Sequence, residues 1–522
     1  MPTMKRRSFL KNSSLLSAPL LLGGVPVAAI SDKSFLSLLN GTSDRVLVLI
    51  QLNGGNDGLN MVIPRDQYDN LAAVRGNILL PENSLLNITD TVALHSSLTG
   101  MHEVFDNGQL NIVQSVGYPN QNRSHFRSLD IWHTASDADQ FLDTGWLGRY
   151  LDTQFPGYPA NYPNEDCPDP LAMTIGSVVT ETCQGMSGNF SLAVVDPENL
   201  SALAAPANNE VAAGCYGNRL AFLINTIEQT NAYNEVIQGA NDSGANLSTK
   251  YPADNALATK LKTVAKLISG GLGTKIYVVS LGGFDTHADQ VVENDPTTGE
   301  HAVLMQTLGD AICAFQDDLR LLGLEERVVG MTYSEFGRRI RSNASLGTDH
   351  GTAAPLLVFG SCVNAGVIGT NPEIALDVDN QEGVPMQYDF RSVYGSVLMD
   401  WFGLAASTVR EVLYEDFQHI PILRDCSITA TYDPAAAAPD LKIYPNPFNQ
   451  TTTLELTTGS EWVKISLFDV IGNELRVVSN QSFPAGLHRI TVETHSLPAG
   501  TYYCRVQTKT GQKTVRMVKM RG

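Results

Sequence analysis

Four short stretches of this sequence gather the residue types that hold a divalent metal. Asn53-Gly54-Gly55-Asn56-Asp57 offers a carboxylate behind two glycines, and Gly283-Phe284-Asp285-Thr286-His287 an Asp and a His two positions apart. Ser334-Glu335-Phe336-Gly337-Arg338-Arg339 places a Glu before paired arginines, and Gly347-Thr348-Asp349-His350-Gly351 sets an Asp beside a His. Glycine lets a chain turn sharply and bring side chains to one point. Carboxylates and imidazoles converging there suit zinc, manganese or calcium, as one ion or two. The candidate ligands are therefore Asp57, Asp285, His287, Glu335, Asp349 and His350. Each has a plainer reading: a turn for the first stretch, a salt bridge to Arg338 or Arg339 for Glu335, a helix cap for Asp349-His350. In a fifth stretch, Asn122-Arg123-Ser124-His125-Phe126-Arg127 reads as a loop entering a helix. Ser124 there is either a cap for backbone donors or a nucleophile at the positive end of the helix. His125 is a further possible ligand. Arg123 and Arg127 either grip a substrate anion or pair with the chain's own acids.

Elements able to position these residues are legible as apolar runs. Residues 45–52, 110–116, 275–281, 327–333 and 355–360 read as buried strands, and 256–268 and 301–322 have apolar residues at helical spacing. Continuous apolar strands alternating with helices predict an α/β domain, a mostly parallel sheet with helices on both faces. Ligands in such sheets sit beyond the carboxyl ends of the strands, where these glycine-rich stretches fall.

The ends of the chain read as addresses. Lys5-Arg6-Arg7-Ser8-Phe9-Leu10-Lys11, an apolar stretch from Leu15 to Val27 and small residues at Ala28 and Ala29 form a secretory signal over 1–30 of twin-arginine type. That stretch is shorter than the roughly 20 residues of a spanning helix, so no transmembrane span is expected in the mature chain. Residues 426–441, with alanines between Pro434 and Pro439, read as a linker after a domain over 40–425. Residues 442–522 alternate like short strands and predict a small all-β sandwich. The chain carries a net charge of −19, whereas residues 442–522 hold ten bases and five acids, so the large domain is acidic and nucleic acid is an unsuitable partner. Seven cysteines occur with no CxxC pair, which disfavours a thiolate zinc site. Cys167, Cys183 and Cys215 are close enough in sequence to suggest a disulfide in an exported chain. Neither G-x-S-x-G nor H-E-x-x-H occurs, which weakens serine-elbow and zincin readings.

Asn53–Asn60, Ser124–Ala135, Gly282–His287, Ser334–Arg339, Gly347–Gly351 and Asp389–Gly403 together resemble domain-of-unknown-function family 1501, of the alkaline phosphatase and sulfatase superfamily. Tyr444-Pro445-Asn446-Pro447, Gly500-Thr501-Tyr502-Tyr503 and the basic end resemble the type A sorting domain of the type IX secretion system of Bacteroidetes-like bacteria. The first resemblance implies an alkaline phosphatase-like fold and attack on a phosphate or sulfate ester, with Ser124 as nucleophile. Asp57, Asp285, His287, Glu335 and His350 would stand at the metal positions. The sequence departs from the superfamily pattern in its Asp-x-His spacing and in Glu335-Phe336, which removes an imidazole. The implied partners are a small or polymeric anionic ester, the twin-arginine translocase and the type IX machinery. The implied route passes through the periplasm to the surface or medium. The competing reading is a secreted, non-catalytic binding or surface protein with a degenerate site on the same fold, its acids salt-bridged to Arg338 and Arg339.

Overall fold

The computed structural model describes residues 44–160, 162–200, 230–424 and, with short gaps, 440–520, together with the strand pair Leu21–Leu22 and Val25–Pro26. Most of the expected linker and of the expected signal segment lies outside the described residues; the last two linker positions open the strand Asp440–Tyr444. Contacts divide the chain into two compact units, one spanning Asp44–Thr429 and the other containing Ala430–Gly522.

A nine-stranded sheet forms the spine of the first unit. Its strands are β1 (Val46–Asn53), β2 (Leu110–Gly117), β3 (Ala172–Ile175), β4 (Ser191–Val194), β5 (Ile276–Gly282), β6 (Val328–Tyr333), β7 (Ala354–Phe359), β8 (Gly366–Ile368) and β9 (Tyr388–Asp389). They lie in the order β8-β2-β7-β6-β1-β5-β3-β4, with β9 also on β2. Every pairing is parallel except those of β7, which runs against both β6 and β2. The reversal sets the start of β7 level with the carboxyl ends of its neighbours. The loop carrying Asp349 and His350 therefore arrives at the ligand-binding end of the sheet.

The pleat separates two apolar layers, because successive side chains along a strand face opposite ways. Val46, Val48, Ile50 and Leu52 of β1 join a core with helices α2 (Thr99–Asp106), α5 (Ala256–Ser269) and α6 (Glu300–Leu321). Leu47 and Leu49 face the other way, toward α3 (His125–Thr134), α4 (Trp146–Gln154), α7 (Phe390–Asp400) and α8 (Ala406–Leu413). A smaller third cluster involves α1 (Tyr68–Arg75) through Leu71 and Val74. The two-sided α/β architecture is present, with one reversed strand inside it.

The second unit holds two antiparallel sheets, one of three strands and one of four. Leu454 and Leu456 from the first share a buried cluster with Val463, Ile465, Leu467, Tyr502 and Met517 from the second, which makes a β sandwich. Among the described residues no helix is long and apolar enough to cross a membrane. Cys167 and Cys183 are free thiols, so no bridge joins them, and Cys215 lies outside the described residues. Cys362 is disulfide-bonded.

Candidate metal centre

The carboxyl ends of β1, β5 and β6 are drawn together by one buried guanidinium. The Arg338 side chain is fully buried. Its Nε donates to Gly55 O at 2.7 Å, Nη1 to Thr348 O at 2.8 Å, and Nη2 to Phe284 O at 3.0 Å and to Gly54 O. Nη2 also donates to Asp285 Oδ1 at 2.7 Å. Gly54 and Gly55 have φ of +127° and +83°, and a Cβ on Gly54 would lie 2.3 Å from Asp285 N. The glycines of the first stretch thus serve a close backbone approach.

Three groups meet above this frame. Asp285 Oδ1 lies 3.5 Å from His125 Nε2 and 3.2 Å from His350 Nε2. Those three residues can each offer a ligand atom to one ion, all within 4.8 Å of one another. His125 opens α3, whose Ser128 hydroxyl donates to Glu335 O and so fixes the helix against the end of β6. His125 Nδ1 is 2.8 Å from Glu335 Oε1, and His350 Nδ1 is 2.8 Å from Arg123 O. A carboxylate and a carbonyl only accept, so an N–H at each Nδ1 would be satisfied there and would leave each Nε2 turned toward Asp285, where His350 Nε2 lies within hydrogen-bond reach of Oδ1. Glu335 is itself fully buried and also accepts from Gly54 N at 2.9 Å. Phe336 forms an apolar wall, its ring centroid 4.9 Å from that of His125 and 4.6 Å from that of His350. Burial tends to raise the Asp285 carboxyl, but hydrogen bonding and charge from Arg338, with help from the histidines, hold it below its usual value. Burial lowers His350, which favours the neutral imidazole that ligates.

The other candidates fall into different places. His287 puts Nδ1 2.9 Å from Asp285 Oδ1 and 3.4 Å from Arg338 Nη1, beside the trio and on the same carboxylate oxygen. Glu335 reaches the site through His125. Asp349 is ion-paired to Arg339 at 2.8 Å and accepts from Asn343 at 3.3 Å, so its carboxylate is committed to its own loop. Asp57 is buried beneath the loops, with both oxygens on Arg75 Nη1 at 3.0 and 3.1 Å and Oδ2 on Gln290 Nε2 at 2.7 Å. Ser124 stands at the N-cap of α3 with no capping bond from its hydroxyl. Arg123 donates to Gln381 O at 2.7 Å. Arg127 is spent on Asp130 and on the carbonyls of Asp137, Ala138 and Gln140, which leaves it a strut for that loop and no grip for an anion. Arg338 as the gathering residue, and Arg75 as partner of Asp57, are roles that the motif spacing did not reveal.

Asp57 and Arg75 supply a stability test. Burial pushes the Asp57 carboxyl up, and the Arg75 charge with the Gln290 hydrogen bond brings the net shift below the ordinary value. A carboxyl lowered on folding stabilises the fold above its unfolded pKa of about 4, and that contribution is lost as pH falls through the folded value. Arg75→Ala is expected to cost about 3–5 kcal/mol at pH 7, because it strands a buried charge. The variant should also lose less stability than the parent between pH 7 and pH 3, as read by urea denaturation at several pH values.

No curated protein matches the chain. Solved structures of similar outline include the PsFucS1 sulfatase from Pseudoalteromonas sp., 10% identical, covering 89% of this chain and 86% of that one, with a TM-score of 0.30. A protein in the alkaline phosphatase superfamily from Vibrio parahaemolyticus is 10% identical, covering 80% and 76%, with a TM-score of 0.32. The phosphonate monoester hydrolase SpPMH from Silicibacter pomeroyi is 10% identical, covering 91% and 89%, with a TM-score of 0.28. At such scores no conclusion rests on these likenesses. Residues 250–412 match the family described as protein of unknown function (DUF1501), a span that includes Asp285, Glu335, Arg338 and His350 but neither Asp57 nor His125. Residues 442–520 match the secretion system C-terminal sorting domain, so the chain is an exported protein, secreted or on the cell surface, that joins a DUF1501 segment to a sorting domain.

Proposed function

We propose that the chain is an exported, metal-dependent hydrolase of phosphate or sulfate esters, with His125, Asp285 and His350 as the residues that would hold the ion. The observation that carries this reading is the fixed direction of two imidazoles. Glu335 and the Arg123 carbonyl engage both Nδ1 atoms, so both Nε2 atoms turn to one carboxylate oxygen. Two imidazole nitrogens and a carboxylate oxygen within reach of one point form a ligand set for a divalent ion, and a carboxylate behind a ligating histidine is the usual support of such a site. A bound divalent ion supplies a Lewis acid for the ester oxygens. Arg123, which donates to the Gln381 carbonyl, carries a positive charge next to Ser124 that an anionic ester can use. Ser124, adjoining His125 at the start of α3, is the proposed nucleophile, and the positive end of that helix favours its ionised form.

One observation supports a second reading. Asp285 Oδ1 already accepts from Arg338 at 2.7 Å, the kind of ion pair a metal-free binding protein would keep. Elemental analysis after incubation with zinc, manganese or calcium separates the two. One ion per chain, with turnover of 4-nitrophenyl phosphate or sulfate, supports the hydrolase. A chain that takes up none of the three ions is the binding protein. Glu335→Gln tests the support of His125: it is expected to weaken ion affinity about 10–100-fold by calorimetric titration while the other ligands remain.

A further inference from the structure

An open cleft of about 830 Å³ begins at Ser124, walled on one side by α3 and on the other by the loop from Val178 to Glu181. Its floor is formed by β1 at Gln51 and by the middle of β5 at Val278, Val279 and Ser280. Ser124 lines it, and the next residue, His125, belongs to the trio, so cleft and candidate centre share the start of one helix. The walls are unusually apolar for exposed surface. Phe126 is 89% exposed, Phe141 79% and Val178 72%, and Val179 stands beside them. Phe141 is held in place, its ring 3.9 Å from the Arg127 guanidinium that also anchors the backbone before it. The charges are equally informative. Among the described residues Arg127 is the one arginine or lysine of the lining and is neutralised by Asp130, while Glu181 adds a negative charge beside His133, its carboxylate 3.7 Å away.

A single phosphate or sulfate group would leave most of this volume empty, and a polyanion lying along it would meet Glu181 while, among the described lining residues, the one arginine is already paired with Asp130. Resting on the hydrolase reading above, we propose that the cleft receives the apolar alcohol portion of the ester. The substrate is then one phosphate or sulfate group on an aryl or alkyl carrier, rather than a polyanionic saccharide. Phe126 and Phe141 are the residues that select it, since aromatic faces bury area against such a group with little loss of side-chain freedom.

The experiment has two arms. Binding of neutral 2-naphthol to the full chain, followed by its fluorescence, is expected to weaken at least about tenfold in Phe126→Ser/Phe141→Ser, two exposed positions whose loss leaves the core intact. In the second arm, kcat/KM for 2-naphthyl phosphate and sulfate is expected to exceed that for glucose 6-phosphate and 6-sulfate at least about tenfold, and the double variant should erase the difference. No binding of naphthol, or binding that ignores the two rings, overturns the assignment, as does equal turnover of both ester classes. Ring-dependent naphthol binding with no ester hydrolysed would instead overturn the hydrolase reading and leave an apolar-ligand site.

Discussion

Asp285→Asn and His350→Ala are each expected to abolish divalent-ion uptake and to reduce ester hydrolysis at least about a hundredfold; His350→Ala should change folding stability little, whereas Asp285→Asn should also lower it, because the buried Arg338 loses its countercharge. Asp285 is the one carboxylate shared by both facing imidazoles, and half its side-chain surface is exposed, so its replacement leaves no buried void. Asparagine keeps an oxygen for Arg338 but gives up the anionic charge that a hard ion requires. His350→Ala removes one of two nitrogen ligands and frees the Arg123 carbonyl. The combined readout is ion stoichiometry by elemental analysis, turnover of 4-nitrophenyl esters, and the thermal midpoint. A variant that keeps one ion per chain would move the site elsewhere. One that loses its ion while unfolding would say nothing about ligation, and His350→Ala, which keeps the countercharge of Arg338, is chosen to prevent that.

Arg338→Met is expected to behave in the opposite way and act first on stability, by about 3–5 kcal/mol. The guanidinium satisfies carbonyls of Gly54, Gly55, Phe284 and Thr348, contributed by three separate loops, and carries the countercharge of Asp285. Methionine fills similar volume but leaves those acceptors stranded, and each buried unsatisfied group costs about 1–3 kcal/mol. Arg338→Lys should restore little, because one ammonium cannot reproduce a planar fork aimed at several carbonyls. Urea denaturation measures both. If Arg338→Lys matched the parent, the arginine would be a plain countercharge for Asp285 and the three loops would be held by their own backbone.

The pattern of what was readable in the sequence has a physical origin. Strands β1, β2, β5, β6 and β7 were visible to within a residue or so at either end, because strands buried on both faces are continuous apolar runs. The four-residue strands Ala172–Ile175 and Ser191–Val194 carry too few apolar residues to stand out. Glycine-rich strand ends were visible because sharp turns demand glycine. Which acid faces the site was not visible: Asp57 and Asp285 both follow a strand and two glycines. What separates them is Arg75, at the end of a helix that closes over Asp57 from beneath. His125 rather than Ser124 reaches the cluster, a difference set by how α3 is fixed through Ser128, and no local spacing encodes that. The role of Arg338 was hidden because its partners are backbone carbonyls, which have no sequence signature.

The reversed strand β7 has a consequence for the order in which the centre assembles. β6 and β7 pair directly, so Glu335, Arg338 and His350 all lie on the single connection between two adjacent antiparallel strands. Contacts close in sequence need little loop closure and form early, whereas parallel pairings across most of a domain form late. Half of the centre is therefore a local hairpin product. His125 reaches it when β2, the strand before α3, has paired with β7, and Asp285 only when β5 has paired with β1 across the large intervening segment. A chain halted before β5 joins β1 would lack the shared carboxylate, which makes ion capture a late event that reports completion of the sheet.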